Sequence, residues 1–301
     1  MRAAASALLV SVVSVLAILA ALGPDVAAAQ QPVPSQPTVI FVVWAAEKGK
    51  EPPGSIIDPL VVIEGPALKK PPAFEFQNAD DPKFVEFEKN YYRAGQTYPL
   101  LTGGSARGTL TVEKPVGVSC SSMTAAVELP VVIPEHEMAL AITSSGGLGL
   151  HANWRRHATP EERAAFLKLA AGYLQQNGVA ETPVATMEIE SLYWTKLHAG
   201  GLDSLIGDLK FKNATGIHYV FLVATKTGGD YGVALASHHV ARDEDDADVT
   251  TESFVDQLDL DNDGVDEIVT IFGYYESWEY AIYKLQNGSW QKIYQGGGGG
   301  C

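Results

Sequence analysis

Apolar residues recur along this chain in short runs and alternations rather than in long helical stripes. TVIFVVWA (38–45) and PLVVIEG (59–65) are near-continuous β-branched runs bounded by proline and glycine, the pattern of buried strands. GTLTVEK and MTAAVELPVVI repeat the theme, and from residue 186 onward MEIESLYWTKLH, LIGDLKFK, IHYVFLVATK, YGVALASHHV, SFVDQL, EIVTIF, WEYAIYKLQ and SWQKIY follow in close succession. TGGD at 227–230 and Asn287-Gly288 are hairpin turns by their chemistry, because glycine and asparagine tolerate positive φ. Two segments break the β pattern. DDPKFVEFEKNYYRAG reads as a short helix capped by Asp81, with Phe84, Phe87 and Tyr91 on one face. ATPEERAAFLKLAAGYLQQNG carries a capping box (Thr159, Glu162), a proline in its first turn and a stop at Asn177-Gly178. Its stripe of Phe166, Leu169, Ala170, Tyr173 and Leu174 marks it as a packing helix.

These elements predict a mainly β (α+β) fold of antiparallel sheets with two helices. The expected divisions are an N-terminal β-rich region at 38–155, a core helix at 156–178, and a C-terminal antiparallel β region at 186–295, followed by a Gly-rich tail at 296–301. Within the last region, residues 253–295 form four strands whose first hairpin is tipped by an acidic loop.

The chain opens with Arg2 and an apolar run from Ala3 to Leu22, then Gly23-Pro24 and small residues at Ala27 and Ala29. That is the layout of a secretory signal peptide spanning 1–29, with QQPVPSQP at 30–37 as a linker. The competing reading is a retained anchor, since about 20 apolar residues reach across a bilayer. No cysteine follows the run, and after Leu22 no stretch is long and apolar enough to span, so the expected location is secreted or periplasmic with no integral membrane span after cleavage. Removing residues 1–29 takes away Arg2 and Asp25 together, so the formal net charge of −15 persists. Such a surface repels nucleic acid and attracts divalent cations. Cys120 and Cys301 are the only cysteines, and in an oxidising compartment they form an expected disulfide, with the glycines at 296–300 as a flexible tether. A free thiol and an intermolecular bridge are the alternatives.

The acidic loop carries the strongest chemical signal. DLDNDGVDEIV puts carboxylates at Asp259, Asp261, Asp263, Asp266 and Glu267, a spacing that without a cation sets like charges against one another. Calcium takes six to eight oxygens at about 2.3–2.6 Å, and alternate positions of a curled loop can supply them. Counting Asp259 as position 1, the expected ligands are the side chains of Asp259, Asp261 and Asp263, the carbonyl of Val265 and the carboxylate of Glu267, with Gly264 at the bend. Asp266 falls between ligand positions and is expected to face solvent. An EF-hand is excluded, because position 12 is Thr270 within a β-branched run rather than a glutamate on a helix. The plain alternative is a polar hairpin turn.

This stretch resembles the calcium loop of integrin-type FG-GAP and VCBS-type repeats of secreted bacterial proteins. The resemblance covers about 45 residues and departs from the pattern at Glu267, where aspartate is usual. It implies a blade-like four-stranded unit with calcium in its outer loop. The motif occurs once, so a closed propeller, which needs about four to eight blades, is not expected.

Other candidates are weaker. DEDDAD (243–248) is a solvated charged loop or a second cation site. Tyr274, Tyr275 and Trp278 form a possible ligand surface for carbohydrate or protein, although cross-strand packing accounts for the same aromatics. The histidines lack metal-ligand spacing; His238 and His239 are neighbours on a strand and point to opposite faces. No nucleophile elbow or dinucleotide fingerprint is complete. The sequence therefore favours an exported, calcium-stabilised, non-catalytic β module for binding or envelope architecture. The alternative is a secreted, carbohydrate-active hydrolase using carboxylates such as Glu188, Glu190 or Asp230 as acid and base.

Overall fold

In a computed structural model, residues 37–300 are described apart from 46–53, 73–79, 120–121, 135, 180–183, 199 and 244–245. The proposed signal segment and both cysteines, Cys120 and Cys301, lie outside the described residues, as do two positions of the DEDDAD loop. The first sheet is built from β1 (Thr38–Trp44), β2 (Ser55–Glu64), β4 (Thr97–Thr102), β5 (Ser105–Ser119), β6 (Ser122–Glu128) and β7 (Met138–Ile142). Their order is β1-β7-β4-β5-β6-β2, all antiparallel, and β1 also pairs with β2. That last pairing closes a six-stranded barrel, and β3 (Ala67–Lys69) extends β2 beyond it.

The second sheet has five strands in the order β12-β11-β10-β9-β8: β8 (Arg156–His157), β9 (Glu188–Lys196), β10 (Asp203–Asn213), β11 (Gly216–Thr227) and β12 (Asp230–Ala241). The third is a meander of β13 (Thr250–Leu258), β14 (Glu267–Tyr274), β15 (Ser277–Gln286) and β16 (Ser289–Gly300). The two helices are α1 (Pro82–Tyr91) and α2 (Pro160–Gln176). Thr159 and Glu162 form the capping box of α2, satisfying two N-terminal N–H groups that the helix cannot.

Side-chain alternation stacks these parts in layers. On β1, Val39, Phe41 and Val43 fill the barrel with Tyr98 and Leu100 and with Phe84 and Phe87 of α1. The intervening Ile40 and Val42 face out and pack, with Leu60 and Leu140, on Val255, Val269, Tyr280 and Tyr294 of the meander. The opposite face of the meander, Phe254, Ile268, Phe272 and Tyr283, meets Tyr193, Ile206, Phe221 and Val223 of the five-stranded sheet. The far side of that sheet, Leu205, Leu209, Val220 and Leu222, is covered by Phe166, Ala170 and Leu174 of α2. The meander is thus buried on both faces, which explains why EIVTIF is almost uninterruptedly apolar.

The glycine run departs from expectation. Gly296 to Gly300 are not a loose tether but the end of β16, paired along β15 from Tyr280↔Gly296 to Ser277↔Gly300. A Cβ on Gly297 would lie 2.6 Å from the Leu60 carbonyl oxygen and 2.7 Å from that of Pro59, and one on Gly298 would lie 2.2 Å from the Trp278 carbonyl oxygen. Both residues have positive φ, +68° and +77°. Glycine is required here because β16 is pressed between β15 and the outer wall of the barrel.

Candidate metal centre

The acidic loop connects β13 to β14 at the junction of all three sheets. It curls through two left-handed residues, Asn262 (φ 58°) and Gly264 (φ 87°), conformations that asparagine and glycine adopt most readily. The curl lets side chains bond back to the loop. Asp259 accepts the N–H groups of Asp263 (3.1 Å) and Gly264 (2.9 Å), and Asp263 Oδ1 accepts that of Val265 (2.9 Å). Glu267 Oε2 accepts the Leu260 N–H at 2.7 Å.

Of the five expected ligands, Asp259, Asp261 and Glu267 offer oxygens that all lie within 4.8 Å of one another. Asp263 joins them through Lys284 of β15. The Lys284 ammonium donates to both carboxylate oxygens of Asp261 (2.9 Å each), to Asp263 Oδ2 (2.7 Å) and to Glu267 Oε1 (2.8 Å). Val265 makes an isolated antiparallel bridge with His198. Asp259 and Glu267 are buried, whereas Asp261 and Asp263 are exposed.

The charges do not balance. Burial pushes the Glu267 carboxyl up to about 7, although hydrogen bonds from Lys284 and the Leu260 N–H pull it down. The Lys284 hydrogen bond holds Asp263 below the usual carboxylate range. Burial acts to lower Lys284, but its bonds to Asp263, Glu267 and Asp261 prevail and raise it. One ammonium among four carboxylates leaves a net negative pocket of hard oxygen donors, the chemistry that suits calcium.

The back of the loop corrects one expectation. Asp266 does not face solvent; it is buried, and its carboxylate meets His151 Nε2 at 2.8 Å and accepts from Gln257 Nε2. Alternation explains the reversal: flanking ligand positions aim one way, so Asp266 aims inward toward the neighbouring chain segments. His151 also donates through Nδ1 to the Ala152 carbonyl (2.7 Å) and stacks on Trp154 with ring centroids 4.0 Å apart. Gln257 in turn donates to the Lys196 carbonyl (2.7 Å) and accepts from Thr195 Oγ1 (2.6 Å). Backbone bonds complete the junction, Gly149 N–H to the Asp259 carbonyl at 2.8 Å and Asp266 N–H to the Leu197 carbonyl at 2.9 Å. A Cβ on Gly149 would strike the Asp259 carboxylate at 2.1 Å. The loop therefore clamps the segment after the barrel, the end of β9 and the meander to one another.

Lys284, His151 and Gln257 are absent from the sequence-derived set. Lys284 was detectable in principle: Ile268 pairs with Tyr283, so the register sets Glu267 opposite Lys284. Gln257 belongs to the same hairpin as Asp266, being paired with Ile268 two positions on, whereas nothing in the sequence places His151 beside Asp266, because it comes from the segment after the barrel, 115 residues earlier.

The remaining candidates scatter. Trp278 donates through Nε1 to buried Asp58 (2.9 Å), Tyr274 donates to Glu279 (2.7 Å), and Tyr275 is exposed on the turn. Trp278 and Tyr274 line a cavity of about 500 Å³ with Pro59, Lys70 and the glycine backbone of β16. Tyr280, Tyr283, Trp290 and Tyr294 are core residues. Glu188 and Glu190 share one face of β9 and pair with Lys210 (3.9 and 2.8 Å), while Asp230 lines a separate groove beside α2. His238 contacts His218 Nδ1 at 2.9 Å across β11 and β12, a pairing created by a bulge between Val223 and Ala224. The Asn213 carboxamide oxygen lies 3.0 Å from His218 Nε2, so both ring nitrogens of His218 are engaged in protein hydrogen bonds.

The chain matches no family model, and no curated protein or solved structure is significantly similar to it. Among the described residues no helix is long and apolar enough to cross a membrane.

Proposed function

We propose that this chain is an exported, non-catalytic β module whose acidic loop binds a structural calcium ion. The observation that carries the reading is the gathering of Asp259, Asp261 and Glu267 oxygens within 4.8 Å at a loop that bonds both to the segment after the barrel and to the end of β9. Asp259, Asp261, Asp263 and Glu267 would hold the ion with carboxylate oxygens and Val265 with its carbonyl. When bound, calcium supplies positive charge to a pocket that Lys284 only partly neutralises. The meander would then be a single blade of the FG-GAP or VCBS type, buried between barrel and sheet instead of between sister blades. A signal peptide at 1–29 would deliver the module outside the cytoplasm, where abundant calcium suits modest-affinity sites. A carbohydrate or peptide ligand would lie against Trp278 and Tyr274, whose cavity opens beside the glycine strand. No group in the loop has the arrangement of a nucleophile and base, which supports a structural role over catalysis.

The test is a thermal melt of the full chain in EDTA and after adding calcium, with Asp261→Ala alongside. Calcium is expected to raise the Tm of the native protein and leave the variant nearly unmoved. A melt that ignores calcium in the native protein removes the ion from the account.

A further inference from the structure

Lys284 occupies the position that a cation bound by this loop would claim. Its ammonium contacts three of the four proposed carboxylate ligands at 2.7–2.9 Å, and its side chain is only 17% exposed. The residue follows Tyr283 on β15, and Tyr283 pairs with Ile268, the neighbour of Glu267, so the contact continues the strand register and does not depend on a wandering surface side chain. A divalent ion needs those same oxygens in its coordination sphere at about 2.3–2.6 Å, and an ammonium donating hydrogen bonds to them from the inside leaves no room for it. Two cations at that separation also repel.

We propose that Lys284 is a tethered competitor for the metal: its ammonium and a divalent cation hold the same carboxylates in turn, and the ion enters only when Lys284 withdraws. The inference rests on the calcium reading above and adds how the site is regulated. It has two consequences. The loop keeps its curl without metal, because the ammonium bridges Asp261, Asp263 and Glu267. Calcium affinity is set low, because every binding event must break the charge-assisted hydrogen bonds that the three ammonium N–H groups make to three carboxylates. The chain can thus fold where calcium is scarce and load only where it is plentiful.

The experiment compares the native chain with Lys284→Met and Lys284→Arg, using calorimetric titration with calcium chloride in metal-depleted buffer and melts in EDTA. Methionine keeps the unbranched stem and removes the charge; arginine keeps the charge. Lys284→Met is expected to bind calcium at least about tenfold more tightly than the native chain, equivalent to about 1.4 kcal/mol. It is also expected to melt lower than the native chain in EDTA and to recover with calcium. Lys284→Arg is expected to bind no more tightly than the native chain. Equal calcium affinity in the native chain and Lys284→Met overturns the competition and leaves the calcium site standing. An unchanged EDTA melt in Lys284→Met overturns the role of the ammonium as resident cation. If none of the three binds calcium, the underlying reading fails and takes this one with it.

Discussion

Asp58 gives the sharpest test of how the barrel and the meander are joined. It lies on β2, fully buried, and its Oδ2 accepts hydrogen bonds from Trp278 Nε1 (2.9 Å) and Tyr280 Oη (2.7 Å), while Oδ1 has no partner among the described residues. Burial raises its carboxyl from 3.8 to about 6, against the pull of the Tyr280 and Trp278 bonds. The folded state therefore holds this proton more tightly than the unfolded chain. The resulting stability is complete below about pH 4 and is lost as pH rises through 6. At 1.36 kcal/mol per pH unit the full loss is about 3 kcal/mol, and about half of it develops between pH 5 and pH 8. Asp58→Asn removes the titration while its amide oxygen can still accept both bonds. Urea unfolding of the two proteins at pH 5 and pH 8 isolates the contribution, because every other titrating group is common to both. The native protein should lose about 1–2 kcal/mol more than Asp58→Asn over that interval. Parallel pH profiles would refute the reasoning.

Two further perturbations probe the seams of the structure. Gly297→Ala must push the β2 carbonyls away at a residue with positive φ, so it should cost about 2–4 kcal/mol and appear as a lower Tm in scanning fluorimetry; an unchanged Tm would mean that β16 is not pressed on the barrel. His151→Leu leaves Asp266 buried without its ion-pair partner and should cost about 3 kcal/mol by urea unfolding at pH 6. Although burial alone would lower the imidazole, the hydrogen bond to Asp266 raises it above 6.5, so the pair stabilises at low pH and weakens as pH climbs through that raised value. The gap between native and His151→Leu should accordingly narrow at alkaline pH, and a constant gap would show that the contact is not an ion pair.

Local features of the fold were readable from local chemistry. The Thr159 capping box, the Gly228-Gly229 turn and the Asn287-Gly288 turn each dictate their own geometry within a few residues, and each is present. The mainly β, antiparallel character with two helices followed from the same signals. Barrel closure did not, because it depends on β1 pairing with both β2 and β7, the latter about a hundred residues away, and no side-chain pattern encodes which strand meets which. The carboxylate gathering at Asp259, Asp261 and Glu267 was legible from spacing alone. Asp266 was misplaced because its ion-pair partner His151 comes from a segment 115 residues earlier in the chain, and a run of glycines offers no pattern from which packing can be read. The His218–His238 contact illustrates a finer limit: a simple two-residue hairpin sets His218 against His239, and one bulged residue exchanges the faces.

The glycine strand also bears on the order in which the molecule can assemble. Tyr294 Oη donates to the Leu60 carbonyl across 234 residues of chain, and Gly297 rests on the same stretch of β2. Contacts of such long range close late, since the entropy of a large loop must be met before they return any stabilisation. During synthesis the outer wall of the barrel, with Ile40, Val42 and Leu60, therefore emerges well before the meander that covers it. Until the meander arrives, that apolar wall is exposed, and transiently exposed apolar surface of this kind is where chains associate prematurely.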